Sequence, residues 1–250
     1  NIPALAAVAE HEADHIGART KAALVAAKAK GRLLGHPDGL PFYDLFAPVG
    51  EDVKHYTVEE ARELLGDTFG KAHPQMAAFM MHAFDNRWID MYPREGKRGG
   101  AFCAENHQLR ISRILTNFVG SFSDVSTLAH ELGPAWHAHC MEQTPVLMSN
   151  PPMSLAETAS TFNETLLSHT VLASATPERA FSILESSLME ATQCVVDIYS
   201  RFLFESAVFE ARKTHTPSVA ELRGMMLSAQ EEVYGDGLAK DVRPPDMWIN

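Results

Sequence analysis

Cysteine is scarce in this sequence. Only three of the 250 residues are cysteine, and Cys103, Cys140 and Cys194 form an odd, widely spaced set. Such a set excludes a disulfide framework and favours a reducing, cytoplasmic compartment. Hydrophobic residues nevertheless make up 46% of the chain, so we expect a substantial core that needs no disulfide support.

Basic charge and long apolar runs are scarce as well. The 32 aspartate and glutamate residues outnumber the 21 lysine and arginine residues, which leaves a formal net charge of −11. A general nucleic-acid binder needs a basic face, and no apolar run approaches the ~20 residues of a membrane-spanning helix. Acidic residues also come too early for a signal peptide. We therefore expect neither a nucleic-acid nor a membrane partner. Because the chain lacks an initiator methionine, we expect a fragment or a processed or trimmed form.

Most of the sequence has the pattern of helices. Residues 3–34 are rich in Ala, Leu, Val and Lys, which helices tolerate or favour. Thr57–Glu60 predicts a capping box, Pro74 predicts the first turn of the next helix, and Ser218–Glu221 predicts another helix start. A long helix is predicted from Pro177 to about Lys213, with a buried aromatic face formed by Tyr199, Phe202, Phe204 and Phe209.

One region has a different pattern. Residues 101–120 contain a β-branched run bounded by glycine, which predicts strands. The predicted fold is therefore mainly α, with a small β-sheet next to a helix that begins near Asp124. We expect one domain over residues 1–250, with a helical lead-in to about residue 95, followed by the strands and the remaining helices from residue 96 onward.

The stretch "STLAHELGPAWHAHC", Ser126–Cys140, contains an incomplete metal-binding signature. His130 and Glu131 begin the zinc-peptidase pattern H-E-x-x-H, but Pro134 stands where the second histidine would fall. The apolar residues of this segment recur at helical spacing and predict one buried stripe: Val125, Leu128, Ala129 and Leu132.

A complete H-E-x-x-H pattern occurs elsewhere, at His11–His15. Its two imidazoles would share a helix face. However, the charged Asp14 lies inside the motif, and no strand precedes it. We interpret this match as the polar face of a solvated helix, since short patterns also match by chance.

Three segments together are similar to the oligoendopeptidase F and thimet oligopeptidase family of zinc metallopeptidases. They are "GGAFC" (Gly99–Cys103), "ILTNFVGSFSDVSTLAHELG" (Ile114–Gly133) and "LAETASTFNETLL" (Leu155–Leu167). The resemblance extends over nearly the whole chain and implies a helical zincin-type peptidase core that hydrolyses short peptides with zinc as the cofactor.

The resemblance also implies roles for individual residues. His130 and Glu157 match zinc ligands, Glu131 matches the general base, and Glu164 matches a carboxylate that orients a ligand histidine. In such a site zinc lowers the pKa of a bound water towards ~7 and polarises the scissile carbonyl. An extended peptide would add its backbone to a strand edge formed by residues 111–118, at Ile114, Thr116 and Phe118.

Pro134 departs from the family pattern at its most specific position. Proline offers no metal ligand, and His137 lies about 10 Å further along an ideal helix. Proline also removes the helix hydrogen bond to the carbonyl of His130, at a cost of ~3 kcal/mol or more. We therefore expect the helix to kink or restart at this position, and we expect zinc binding and hydrolysis to be impaired.

Besides an impaired zinc oligopeptidase, two other interpretations remain open. The chain could be a peptide-binding or structural remnant that does not hydrolyse peptides. It could also be a helical scaffold that binds neither metal nor peptide. Glu157 has an alternative role of its own, because Ser154–Glu157 also fits a capping box. The sequence does not predict the peptide preference or the oligomeric state.

Overall fold

The computed structural model describes residues 39–45 and 54–249. These residues group into two compact units, one formed by residues 54–183 and the other by residues 39–45 with residues 184–249. The predicted helix over residues 3–34 and the His11–His15 motif lie outside the described residues. The prediction of a single domain over residues 1–250 stays a prediction. All three cysteines are free thiols.

The larger unit begins with two helices, α1 (Val58–Ala72) and α2 (Pro74–Asp85). The Thr57 hydroxyl accepts a hydrogen bond from the Glu60 backbone N–H, and the Glu60 carboxylate accepts one from the Thr57 N–H. This capping box and the proline at the first turn of α2 confirm two predicted helix starts.

Three short strands follow: β1 (Ile89–Asp90), β2 (Phe102–Asn106) and β3 (Ile111–Leu115). Their order in the sheet is β1-β3-β2, so β3 lies in the middle. It pairs in parallel with β1 and antiparallel with β2. Among the described strands, β2 therefore has an outer edge, and β3 does not.

Helix α3 (Phe122–Cys140) carries the incomplete signature. The Asp124 carboxylate accepts hydrogen bonds from the backbone N–H groups of Val119, Gly120 and Ser121 at 2.8–3.1 Å, which fixes the turn before the helix. The apolar residues of the predicted stripe are all fully buried, namely Val125, Leu128, Ala129 and Leu132. The helix neither stops nor restarts at Pro134, which lies inside it.

Helix α4 (Met153–Leu172) packs along α3 and carries Glu157 and Glu164. Its N-cap is Pro152, without a side-chain capping bond. Ser154 therefore lies inside the helix, and the capping-box interpretation of Glu157 is wrong. The core of this unit is one apolar cluster drawn from all its helices and from β3, with Leu65, Phe69, Met80, Ile114, Leu128 and Leu167 among its most buried members.

The predicted long helix from Pro177 consists of three segments. Helix α5 (Pro177–Thr192) is followed by a π-helical turn (Gln193–Asp197) and then by α6 (Ile198–Ala211). Phe204 is buried, but the other aromatic residues of the predicted buried face are exposed: Tyr199, Phe202 and Phe209. The buried-face prediction is thus right for one residue in four.

In the smaller unit, α6 packs against α7 (Val219–Tyr234). Their shared core contains Phe204, Met226, Ala229 and Met247. No helix within the described ranges has both the length and the apolar character of a membrane span. The mainly α fold with a small sheet beside the signature helix is as predicted.

The start of α7 leads to a prediction about acid stability. The Glu221 carboxylate accepts hydrogen bonds from the Ser218 N–H and hydroxyl, both at 2.8 Å, and these bonds lower its pKa to about 2. Because the folded pKa lies below the unfolded one, this stabilisation is complete above the unfolded pKa and decreases as the pH falls towards 2. Urea unfolding between pH 5 and 3 should therefore show a shallower loss of stability in Glu221→Gln than in the wild type.

A matched variant for this measurement is Glu232→Gln, which removes the same charge from the same helix without touching the cap. Its stability should fall with pH as steeply as that of the wild type. Equal slopes for all three proteins would contradict the assigned role of Glu221.

Candidate active site

His130 lies between two carboxylates of α4. Its Nδ1 is 2.9 Å from Glu164 Oε1, and its Nε2 is 3.4 Å from Glu157 Oε2. The histidine comes from α3 and both acids come from α4, two turns apart on one face. The structure thus brings together the three side chains that the sequence placed in one centre.

The hydrogen bond to Glu164 fixes the orientation of the imidazole. When Nδ1–H donates to the Glu164 carboxylate and Nε2 is unprotonated, the lone pair of Nε2 points towards Glu157. Two ligands of a tetrahedral zinc ion, each ~2.0–2.1 Å from the metal, lie about 3.3–3.4 Å apart. The separation of Nε2 and Oε2 matches that value. The same hydrogen bond raises the pKa of His130.

Glu131 follows His130 on α3 and is buried, with 7% of its surface exposed. Burial raises the pKa of its carboxyl group, and the charges of Glu157 and Glu164 raise it further. A carboxyl group whose pKa lies above its usual range is suited to accepting and returning a proton near neutral pH. The role of general base stays a prediction.

Pro134 lies one turn beyond His130 on the same face, at the position where the family pattern predicts the second histidine ligand. His139 does not replace it, because its ring stacks on Phe79 at 4.8 Å and its Nδ1 bonds Glu142 at 2.6 Å. In the part of the chain that the structure describes, no group of three His, Cys, Asp or Glu side chains could hold a metal ion. The donors present therefore do not fit a three-ligand zinc site.

Gly133 and Asn163 contribute to the geometry of the site in ways that sequence reasoning missed. A Cβ atom on Gly133 would lie 2.5 Å from the carbonyl oxygen of Ala159 in α4, so the two helices touch backbone to backbone. Asn163 is fully buried, and its Nδ2 donates to the carbonyl of Ala129 at 2.9 Å. These contacts fix the register of α4 on α3, and they place Glu157 and Glu164 opposite His130.

The predicted peptide-binding edge is not at β3. Ile114, Thr116 and Phe118 are buried, and their backbone N–H groups already donate to residues at and beside β1. The prediction that a peptide adds to this strand is therefore wrong, because β3 is paired on both sides. The outer strands of the described sheet are β1 and β2, and of these β2 packs against α3 on the side of Glu131.

Comparison with known proteins shows which family this chain resembles. The family model "Peptidase family M3" matches residues 57–236. The chain is 32% identical over 200 residues to oligoendopeptidase F of Lactococcus lactis subsp. cremoris, covering 77% of this chain and 32% of that protein. It is 26% identical over 208 residues to oligopeptidase PepF of Bacillus subtilis, covering 82% of this chain and 31% of the relative.

A solved structure has the same fold. PZ peptidase A, in complex with an inhibitor, superposes with a TM-score of 0.63 at 19% identity, over 78% of this chain and 33% of that protein. The chain thus spans about a third of the length of the relatives it matches. The family match covers the helices and the sheet that form the candidate site, and the chain belongs to peptidase family M3.

Proposed function

We propose that this chain carries the central part of an oligopeptidase site for short peptides, and that its hydrolytic activity is impaired. His130 and Glu157 occupy two zinc-ligand positions, Glu164 orients His130, and Glu131 is the general base. One observation carries the proposal: His130 Nε2 lies 3.4 Å from Glu157 Oε2, and Pro134, one turn further along α3, offers no third donor beside them.

Family membership supports the peptidase part of the proposal. The relatives bear names of oligopeptidases, and the site of this chain retains a buried acid next to a ligand-type histidine. We assign the whole of the described larger unit, and the helices that follow it, to a metallopeptidase catalytic domain. Zinc is the cofactor that the family implies, and the described part of this chain retains only two of the protein donors that would hold it.

The outer edge of β2 supports the peptide-binding part of the proposal. An extended peptide can add its backbone hydrogen bonds to an unpaired strand edge, with alternate side chains entering neighbouring pockets. Such binding depends on the backbone of β2 and not on a metal. A site that binds peptides without hydrolysing them is therefore the second candidate, and the lack of a third donor favours it.

Metal analysis and peptide cleavage distinguish the two candidates. Purified protein that has been dialysed against zinc should retain well under one equivalent of zinc per chain. It should cleave a quenched fluorescent peptide at least about 100-fold more slowly than the Bacillus subtilis relative, since the metal site is incomplete. Binding of the same peptide should be unchanged by EDTA.

Glu131→Gln is the matched control for this assay. Any residual cleavage that comes from the site should disappear in this variant, whereas cleavage by a contaminant should persist. One equivalent of zinc with chelator-sensitive turnover at the rate of the relative would overturn the proposed impairment.

A further inference from the structure

The side chain of Lys97 is buried, with 1% of its surface exposed, in a loop between β1 and β2. Its ammonium group donates hydrogen bonds to three backbone carbonyls, those of Asp90 at 3.0 Å, Tyr92 at 2.8 Å and Thr116 at 2.6 Å. An ammonium group has three donors, and each of them is used. A buried lysine is rare unless it is paired in this way.

The acceptors of Lys97 lie at the ends of two strands. Asp90 is the last residue of β1, and Thr116 follows the last residue of β3. Lys97 also lies 3.1 Å from the Asp90 carboxylate, which Arg94 holds with two further hydrogen bonds. The ammonium therefore fastens the loop to the point where β1 and β3 end.

Asn117 fastens the next part of the same loop. Its Nδ2 donates to the carbonyl of Arg98 at 3.0 Å and to that of Gly100 at 2.9 Å. Gly100 has a φ of +77° and stands two residues before β2. Together the two side chains hold the loop from its middle to the start of the strand.

Strand β2 buries little side-chain surface. Of its five side chains, only that of Cys103 is partly buried, and the other four are exposed. A strand that buries so little apolar surface gains little from the hydrophobic effect. Its position depends on the packing of Cys103 against the core, on its pairing with β3 and on the loop that leads into its first residue, Phe102, opposite Leu115.

We propose that Lys97 is a positioning residue that holds the outer edge of β2 in place beside Glu131, ready to receive a peptide. The inference rests on the proposed function, because it concerns the same peptide edge. Asp90 remains paired with Arg94 when Lys97 is replaced, so the replacement removes the donors of the three carbonyls and leaves the acid with a partner. The loop and the first residues of β2 then lose their anchor.

Hydrogen exchange of the full chain tests the anchor directly. In Lys97→Met, amides of residues 98–106 should exchange about tenfold faster than in the wild type, while amides of α1 should keep their rates, because the loss is local. Lys71→Met, which removes an exposed lysine from α1, should change neither region. Unchanged exchange in residues 98–106 of Lys97→Met would overturn the proposal.

Peptide affinity tests the positioning role. With EDTA present to prevent hydrolysis, the Kd of a fluorescent peptide measured by anisotropy should rise about tenfold in Lys97→Met, because a loose edge must be ordered on binding. An unchanged Kd beside faster β2 exchange would overturn the role. If the wild type binds no peptide, the proposed function fails, and the exchange result alone decides whether Lys97 holds β2.

A second variant covers the case in which Lys97→Met does not fold. Asn117→Ala removes the two bonds to Arg98 and Gly100 and leaves the buried ammonium in place. It should raise the exchange of residues 98–106 and the peptide Kd in the same direction by a smaller factor. No change in either quantity would overturn the anchoring scheme.

Discussion

Replacing Pro134 with histidine should raise zinc content from well below one equivalent to about one equivalent. Position 134 lies one helical turn after His130 on the same face of α3. An imidazole at this position would therefore point towards the space next to His130 Nε2 and Glu157 Oε2. Three protein donors with one open position are the usual ligand set of a catalytic zinc ion. We expect zinc affinity to increase at least about 100-fold, and chelator-sensitive cleavage of a quenched peptide to appear.

Pro134→Ala separates the metal effect from the backbone effect. Alanine restores the N–H that can bond the carbonyl of His130, and removing the proline ring should stabilise the fold by up to about 3 kcal/mol. It adds no donor, so zinc content should stay at the wild-type level. If Pro134→His is as stable as Pro134→Ala and still binds no zinc, the assignment of His130 and Glu157 as ligands is wrong.

Replacing Gly133 with alanine should lower the free energy of unfolding by about 3 kcal/mol. In most helix interiors this change is stabilising, by roughly 0.5–1 kcal/mol. Here the new Cβ would meet the carbonyl oxygen of Ala159 at 2.5 Å, its carbonyl carbon at 2.7 Å and the Ser160 nitrogen at 2.9 Å. All three are backbone atoms of α4, so the clash cannot be relieved by a side-chain rotation and the two helices must separate.

Gly66→Ala in α1 is the matched control. A Cβ there would meet only the side chain of Met81, at 3.5 Å and beyond, which is ordinary contact. Urea unfolding should therefore show the usual helix stabilisation for Gly66→Ala and a large loss for Gly133→Ala. A neutral result at Gly133 would contradict the backbone contact between α3 and α4.

Local signals predicted the helix starts well. Thr57, Pro74 and Ser218 act through bonds and dihedral preferences within one turn of the chain, so their effect can be read without knowledge of the tertiary structure. The buried stripe of α3 was predictable for the same reason, because its periodicity requires one apolar face.

The sheet order could not be predicted in this way. Strand β1 consists of only Ile89 and Asp90 and has no periodicity to detect. Its pairing with Ile114 and Leu115 joins residues about 25 positions apart, and that pairing alone makes β3 a central strand. The expected edge at β3 was therefore wrong, although the strand itself was predicted.

The candidate site was predicted in part. The segment around His130 and the segment around Glu157 were recognised as a family pattern, and the structure brings the two side chains together. Neither Gly133 nor Asn163 was assigned a role in the site from the sequence. Their functions depend on which helix lies opposite, and a single sequence does not contain that information.

The proline inside α3 has a consequence for the far end of that helix. Because Pro134 has no N–H, the helix hydrogen bond to the carbonyl of His130 is missing. The missing bond lies between the part of α3 that carries His130 and the part that carries Trp136 and His139. The rings of Trp136 and His139 lie 5.6 and 4.8 Å from the ring of Phe79 in α2. The last turn and a half of α3 is thus supported by ring contacts with α2, and we expect a truncation of Phe79 to destabilise this segment more than the part that carries His130 and Glu131.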